Sequence, residues 1–215
     1  MTKISRRHFL AATGAMTGSA LLSPLSGIKA ETIGISTPIV KKTRIALIGT
    51  GSRGIFMWGR DLMREYSNYI EFVGLCDINE GRVETGKRMI GVSCPTYTDF
   101  EKMMKETKPE VLIVTTMDST HHQFIIRGME LGANVITEKP MTIDEKKIQA
   151  ILDAEERTGK HCRVTFNYRY SPHRAKIWEL LRAGEIGDIT SVDFHWYLDT
   201  SHGADYFRRW HRLVE

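Results

Sequence analysis

The chain has 215 residues, 41% of them hydrophobic and 26% charged, which is enough to bury one good core and begin a second domain. Its net charge of +4 comes entirely from four basic side chains in the first 30 residues, and the rest holds 26 basic against 26 acidic side chains. This balance excludes a general electrostatic footprint for nucleic acid. The three scattered cysteines exclude a disulfide framework and a cysteine-based metal site: Cys76, Cys94 and Cys162.

The first 30 residues are predicted to be an export signal. Arg6 and Arg7 precede a mildly apolar stretch that glycines and a proline interrupt, and small residues follow up to Ala30. A membrane span would need about 20 strongly apolar residues, so we expect no stable span here. Residues 5–10, SRRHFL, resemble a twin-arginine signal, which implies export of the folded protein by that machinery, to the periplasm in a host that has one. Residues 31–42 are predicted to be a linker.

From residue 43, short apolar runs alternate with helical patterns. Five strands are predicted, at 44–49, 70–77, 110–116, 134–140 and 161–167. Helices are expected between them, with capping boxes that begin at Thr98 and Thr142 and an N-cap at Asp118. The alternation predicts an α/β fold, a Rossmann-type parallel sheet covered by helices on both faces, over residues 43–166.

A glycine motif follows the first predicted strand directly. Gly49, Gly51 and Gly54 have G-x-G-x-x-G spacing, which serves a tight turn, a close approach of pyrophosphate to the backbone, and close packing of helix on strand. The helix that opens at Ser52 and Arg53 would direct free N–H groups and its positive dipole end at the phosphates. These residues are candidates for dinucleotide binding.

Asp77 ends the second predicted strand, 23 residues after Gly54. A carboxylate there can accept hydrogen bonds from the adenosine ribose and would repel a 2′-phosphate, so NAD is expected and NADP is less favoured. Arg53 and Arg82 leave an alternative open, because either guanidinium could reach a 2′-phosphate. A second alternative is a turn or capping role for Asp77.

The order of these motifs resembles that of the Gfo/Idh/MocA oxidoreductases. After the glycine motif and Asp77 come Thr115 and Thr116 with His121, then EKP at 138–140, then NYRYSP at 167–172. The resemblance implies an N-terminal Rossmann domain and a C-terminal open α/β sheet. It also implies oxidation or reduction of sugars, cyclitols or polyols with a tightly bound NAD(P).

The resemblance further implies roles for particular residues. Lys139 would contact the substrate hydroxyl and take part in proton transfer, beside Glu138 at the nicotinamide. The positions expected near cofactor or substrate are Thr116, His121, Asn167 and Arg169. This chain has Met117 and Asp118 where the family usually has Pro and Asn. An exposed Lys139 paired with Glu138, and a plain turn at NYRYSP, are the structural alternatives.

Residues 167–215 are predicted to begin the C-terminal substrate and oligomerisation domain. A helix ending at Gly184 precedes a stretch, 187–200, whose apolar and polar residues alternate as in a long strand. Because His121 and His122 are adjacent, their side chains diverge and no metal site is expected. The family pattern continues beyond what residue 215 reaches, so we expect the chain to be a fragment of a longer enzyme.

Three functions are consistent with these residues. The first is an exported NAD-dependent oxidoreductase that acts on a sugar or polyol by hydride transfer at Lys139. The second is a redox-neutral, NAD-dependent glycosidase of the same family. The third is a non-catalytic dinucleotide-binding module or a truncated remnant. Whether the protein forms homo-oligomers stays open.

Overall fold

A computed structural model describes residues 41–201 and Ala204. The predicted export signal and all but the last two residues of the predicted linker lie outside the described residues, as do residues 205–215. No helix among residues 41–201 is long and apolar enough to cross a membrane.

The described chain folds around one six-stranded sheet in which all neighbours are parallel. The strands are β1 Thr43–Ile48, β2 Ile70–Cys76, β3 Thr96–Tyr97, β4 Val111–Val114, β5 Asn134–Thr137 and β6 Cys162–Val164. Their order across the sheet is β3-β2-β1-β4-β5-β6. The predicted Rossmann-type α/β fold is confirmed. The order reverses between β1 and β4, and sheets of this kind bind ligands at such a switch point, outside the carboxyl ends of the strands.

Helices connect the strands. Helix α1 is π-helical over Arg53–Asp61 and α-helical over Leu62–Tyr66; the others are α2 Glu80–Ile90, α3 Phe100–Thr107, α4 His121–Glu130, α5 Glu145–Thr158 and α6 Pro172–Arg182. Short 3-10 turns at Asp118–Thr120 and Asn167–Tyr170 precede α4 and α6. The sequence did not predict the π-helical segment, and such segments occur frequently at functional sites.

Two apolar clusters cover the two faces of the sheet, and β1 contributes to both. Ala46 and Ile48 belong to the cluster that includes Ile125 of α4, whereas Ile45 and Leu47 belong to the other. Successive side chains of a strand point to opposite faces. A strand buried on both faces therefore appears in the sequence as a continuous apolar run, and this is why the short apolar runs predicted strands.

The predicted capping boxes are wrong. Helix α3 begins after Asp99, whose Oδ1 accepts from the backbone N–H of Lys102 at 3.1 Å. Helix α5 begins after Asp144, whose Oδ1 accepts from the N–H of Lys147 at 2.9 Å. In both cases an aspartate one or two positions after the threonine takes its place, because a carboxylate caps well and is favoured by the positive end of the helix dipole. The predicted N-cap Asp118 begins a 3-10 turn instead.

The predicted strand at 187–200 is also wrong. Residues 187–199 form neither strand nor helix and are exposed. A strand needs a neighbouring strand for its hydrogen bonds, and the described residues place none beside this segment. Residues two positions apart are nevertheless neighbours in this segment: the ring centroids of Phe194 and Trp196 lie 6.0 Å apart, and those of His195 and Tyr197 lie 6.4 Å apart.

Candidate functional site

The turn after β1 gives its three glycines different environments. Gly49 has a φ of +93°, and a Cβ there would lie 2.6 Å from the carbonyl of Thr115. A Cβ on Gly54 would lie 2.2 Å from the carbonyl oxygen of Gly49. A Cβ on Gly51 would meet no atom within 4 Å. Two glycines are therefore required for packing within the chain, while the third borders open space where a pyrophosphate can approach the backbone.

The start of helix α1 borders the same space. The first helical hydrogen bond runs from Ile55 N to Gly51 O at 2.9 Å, and Ser52 at the N-cap makes no side-chain capping bond. The N–H groups of a first helical turn lack partners within the helix and favour an anion there. The glycine turn and this helix start fit the phosphates of a dinucleotide.

Asp77 lies beside this turn, one residue past β2. Its side chain is 5% exposed, and Oδ1 accepts from the backbone N–H of Asn79 at 3.0 Å. Oδ2 accepts from Thr50, and Arg82 Nη1 lies 3.9 Å from the same oxygen. Asp77 therefore holds the turn together, which fits the capping alternative; its contact with the adenosine ribose stays a prediction. Of the two arginines that could reach a 2′-phosphate, Arg82 is the one that lies near Asp77.

Arg53 is engaged elsewhere. Its Nε donates to Glu138 Oε1 at 2.9 Å, and Trp58 Nε1 donates to the same oxygen at 2.8 Å. The side chain of Glu138 is 7% exposed, so its charge is almost removed from water. A buried carboxylate needs such donors to offset its desolvation. The structure thus brings together Arg53 and Glu138, two predicted site residues from opposite sides of β4.

His121 is buried at the start of α4, with 1% of its surface exposed. Its Nδ1 lies 2.8 Å from the carbonyl oxygen of Pro140, and its Nε2 lies 3.1 Å from that of Thr116. The ring therefore joins the loop after β4 to the EKP loop after β5. This is the geometry of a residue that positions two loops; the predicted contact of His121 with the cofactor stays a prediction.

The remaining predicted residues lie nearer to solvent. Lys139 is exposed at the end of β5, next to a cis peptide bond that joins it to Pro140. Asn167 and Arg169 are exposed in the 3-10 turn after β6. Thr116 is half-buried after β4, where its Oγ1 accepts from Thr120 Oγ1 at 2.9 Å. All four follow the carboxyl ends of strands, as expected for a cleft along that edge.

Sequence reasoning missed Thr50 and Trp58, and it named Thr115 in the motif order without assigning it a contact. Thr50 and Trp58 donate to the two buried carboxylates, and Thr115 Oγ1 donates to Gly49 O at 2.5 Å. Thr50 stands inside the glycine motif, which was a usable signal. Trp58 reads as part of an amphipathic helix, and nothing in its spacing indicates a bond to a residue 80 positions away.

Two further features of the described residues concern metal ligands and cavities. Among residues 41–201, no group of three or more His, Cys, Asp or Glu is arranged to hold a metal ion. A cavity of about 700 Å³ lies at the opposite, amino-terminal edge of the sheet, lined by residues such as Lys105, Lys108, Glu110 and Lys160. It shares no residue with the site described above.

Comparison with known proteins identifies the sequence pattern. The family model described as "Oxidoreductase family, NAD-binding Rossmann fold", of the Gfo/Idh/MocA group, matches residues 43–166. YteT of Bacillus subtilis, which carries an oxidoreductase name without a stated reaction, is 38% identical over 172 residues, covering 78% of this chain and 40% of YteT. Glycosyl hydrolase family 109 protein 1 of Akkermansia muciniphila is 31% identical over 164 residues, covering 73% of this chain and 34% of that protein.

Comparison of structures agrees at the level of fold. The crystal structure of myo-inositol 2-dehydrogenase from Lactobacillus plantarum superposes with a TM-score of 0.64 at 24% identity, over 69% of this chain and 43% of that one. The chain therefore spans less than half the length of each of these three proteins.

Proposed function

This chain belongs to the Gfo/Idh/MocA family of oxidoreductases, and we propose that the whole protein transfers a hydride between bound NAD and a sugar or polyol. The myo-inositol dehydrogenase named above supports the class of substrate. The chain spans less than half of each of these proteins, so the activity is proposed for the whole protein and not for these residues alone.

One observation carries the proposal: an open space that we assign to the dinucleotide, here called the cradle, shares one sheet edge with a lysine. The cradle is the space beside Gly51, at the end of β1. Lys139 stands at the end of β5, separated from β1 by β4 alone. The carboxyl ends of parallel strands meet at one edge, so a substrate there can contact both the cofactor and the lysine.

The chain's own residues divide the work. Gly51 and the first turn of α1 would hold the pyrophosphate, and Asp77 would accept from the ribose hydroxyls. When bound, NAD supplies the hydride acceptor. Oxidation of a carbinol also releases the hydroxyl proton, and Lys139 would accept or relay that proton. His121 and Glu138 would hold the loop that carries Lys139.

We propose NAD rather than NADP because the cofactor edge carries the buried charge of Asp77. A 2′-phosphate would meet that carboxylate at close range. Arg53 is bonded to Glu138 and is turned away from the ribose position. Arg82 is therefore the side chain that could contact a 2′-phosphate and reduce the preference for NAD over NADP.

We further propose export by the twin-arginine route. That route carries folded proteins, so a cofactor acquired in the cytoplasm can travel inside its site. The test is the location of the mature protein in host fractions, before and after Arg6 and Arg7 are both changed to Lys. Retention of the double variant in the cytoplasm is expected, and unchanged distribution would contradict the proposal.

A redox-neutral glycosidase is the second candidate, favoured by the similarity to the family 109 glycosyl hydrolase. Such an enzyme would oxidise the sugar, eliminate the aglycone, add water to the double bond that the elimination leaves, and return the hydride to the resulting ketone from the same bound NAD. Release of an aryl leaving group from aryl glycosides without added cofactor would distinguish it from a dehydrogenase.

Lys139→Ala in the whole protein tests the central role. We expect NADH affinity within about twofold of the wild type and a loss of turnover of at least about 100-fold on the substrates that the wild type accepts from a polyol and aryl-glycoside panel. Lys146→Ala is the matched control, because Lys146 is exposed at the start of α5. Unchanged turnover in Lys139→Ala would overturn the assignment.

A further inference from the structure

A hydrogen bond from Trp58 to Glu138 joins helix α1 to the EKP loop, two parts of the site that are far apart in the sequence. Glu138 follows β5 directly and precedes Lys139, and its backbone N–H donates to Val114 O at 3.1 Å. Its carboxylate reaches across the end of β4 to helix α1, where Oε1 accepts from Trp58 at 2.8 Å and from Arg53 at 2.9 Å.

Both donors belong to the helix whose start borders the phosphate cradle. Arg53 is in its first turn, and Trp58 is five residues further along. Trp58 is half-buried and packs against the apolar cluster on one face of the sheet, so its ring has a defined place. The indole N–H is a donor only and has Glu138 as its acceptor.

We propose that Trp58 is a positioning residue, which fixes the carboxylate of Glu138 and thereby the backbone that carries Lys139. The inference rests on the proposed function, because it assigns Lys139 the proton-transfer role. Helix α1 and the EKP loop then behave as one unit. A cofactor bound at the start of the helix would stabilise the loop through this contact.

Trp58 isolates the effect better than Arg53 does. The Arg53 side chain is 42% exposed and stands in the cradle turn, so its removal would also change phosphate binding. Trp58→Phe removes one N–H donor and keeps an aromatic ring in the apolar cluster. Trp178→Phe is the matched control, since Trp178 lies on α6 and contacts Arg182.

The test measures hydrogen exchange of the backbone amides in residues 138–142, in the full chain, with and without NADH. Loss of a hydrogen bond to a buried charged group should raise exchange there about tenfold in Trp58→Phe and leave Trp178→Phe unchanged. The rate at which acetic anhydride labels Lys139, relative to the exposed Lys146, should change about threefold in the first variant alone. NADH should protect the loop in the wild type and much less in Trp58→Phe, at similar NADH affinity.

A double variant shows whether Trp58 acts through Glu138. Adding Trp58→Phe to Glu138→Ala should change loop exchange and Lys139 labelling no further. If Glu138→Ala does not fold, the comparison of Trp58→Phe with Trp178→Phe decides alone. Equal exchange and labelling in those two single variants would overturn the inference while leaving NADH binding, and so the proposed function, intact. Failure of the wild type to bind NADH would overturn the proposed function, and exchange in the free protein would still decide the positioning role.

Discussion

Thr50 donates two hydrogen bonds to one oxygen of Asp77, from its backbone N–H at 2.8 Å and from its hydroxyl at 3.0 Å. The contact joins the turn after β1 to the end of β2. Asp77 therefore holds the turn after β1 in place, and the proposed second role is to present its negative charge to the adenosine ribose.

Asp77→Asn separates these roles from each other. The amide keeps one oxygen acceptor and loses the charge, so one of the buried contacts is broken and the free energy of unfolding should fall by about 1.5–3 kcal/mol. The ratio of NADPH to NADH affinity should rise at least about tenfold, because the repulsion of the 2′-phosphate is gone. Urea unfolding and fluorescence titration with both cofactors measure the two effects.

Asp153→Asn is the control for Asp77→Asn, because Asp153 is exposed on α5 and accepts from Gln149 on the same helix. It should change neither quantity by more than the error of the measurement. If Asp77→Asn keeps the wild-type preference between the two cofactors, Asp77 has no part in ribose recognition.

Much of the sheet could be predicted because its strands are buried on both faces. Runs such as residues 44–48 and 111–114 have no polar residue at alternate positions apart from Arg44 at one edge, and Gly49 follows the first run directly. The two-residue strand β3 was missed, since Thr96–Tyr97 is too short to show a period. The strand at 187–200 failed for a different reason: its alternation is real, but strand pairing depends on a partner that local pattern does not reveal.

Parts of the candidate site could be predicted where the backbone conformation permits only one residue type. Gly49 needs its positive φ, and a glycine motif signals that directly. The bond from Trp58 to Glu138 could not be predicted, because it depends on how helix α1 packs across β4 and on no local spacing. The same holds for His121, whose two carbonyl partners come from separate loops.

The cysteines should be unreactive in the folded chain. Burial raises the pKa of the Cys76 and Cys162 thiols to about 12 and that of Cys94 to about 11. The reactive thiolate is therefore scarce at pH 8. We expect Ellman's reagent to label the native protein slowly. In about 6 M guanidinium, a denaturant concentration that unfolds ordinary domains, it should label all three thiols rapidly. Rapid labelling of the native chain would show that at least one thiol is more accessible than the structure describes.

The ion pair between Glu101 of α3 and Arg127 of α4 should make the free energy of unfolding fall at low pH. Hydrogen bonds from Arg127 hold the pKa of Glu101 below its ordinary 4.5, and Arg127 Nη2 donates to Glu101 Oε2 at 2.9 Å. A carboxylate whose pKa is lower in the folded state stabilises the fold above the unfolded pKa, and the contribution is lost as pH falls through the folded value. The pair is partly exposed, so we expect an effect below about 1 kcal/mol.

Glu101→Gln measures that contribution. The difference in urea midpoint between wild type and variant should be largest above pH 5 and shrink towards pH 3. Glu156→Gln, on the exposed face of α5, is the control and should show no such pattern. A constant difference across this range would mean that the ionised carboxylate of Glu101 is not what stabilises the contact.

The glycine turn offers a test that separates binding from folding. A Cβ on Gly51 meets no atom within 4 Å, whereas one on Gly54 would lie 2.2 Å from the Gly49 carbonyl oxygen. We expect Gly51→Ala to keep the wild-type free energy of unfolding within about 0.5 kcal/mol. We expect Gly54→Ala to lose about 1–3 kcal/mol, because the backbone must shift to relieve the contact.

Affinity for NADH should follow the opposite order once folding is accounted for. The methyl group of Gly51→Ala enters the space assigned to the pyrophosphate and should weaken NADH binding at least about tenfold in a chain of normal stability. Gly91→Ala is a poor control because Gly91 has a φ of +80°, but Gly81→Ala is suitable, since its Cβ would lie 3.5 Å from the Asn79 side chain, an ordinary contact. NADH affinity in Gly51→Ala equal to that in Gly81→Ala would place the phosphates elsewhere, and the cradle beside Gly51 would lose its assigned ligand.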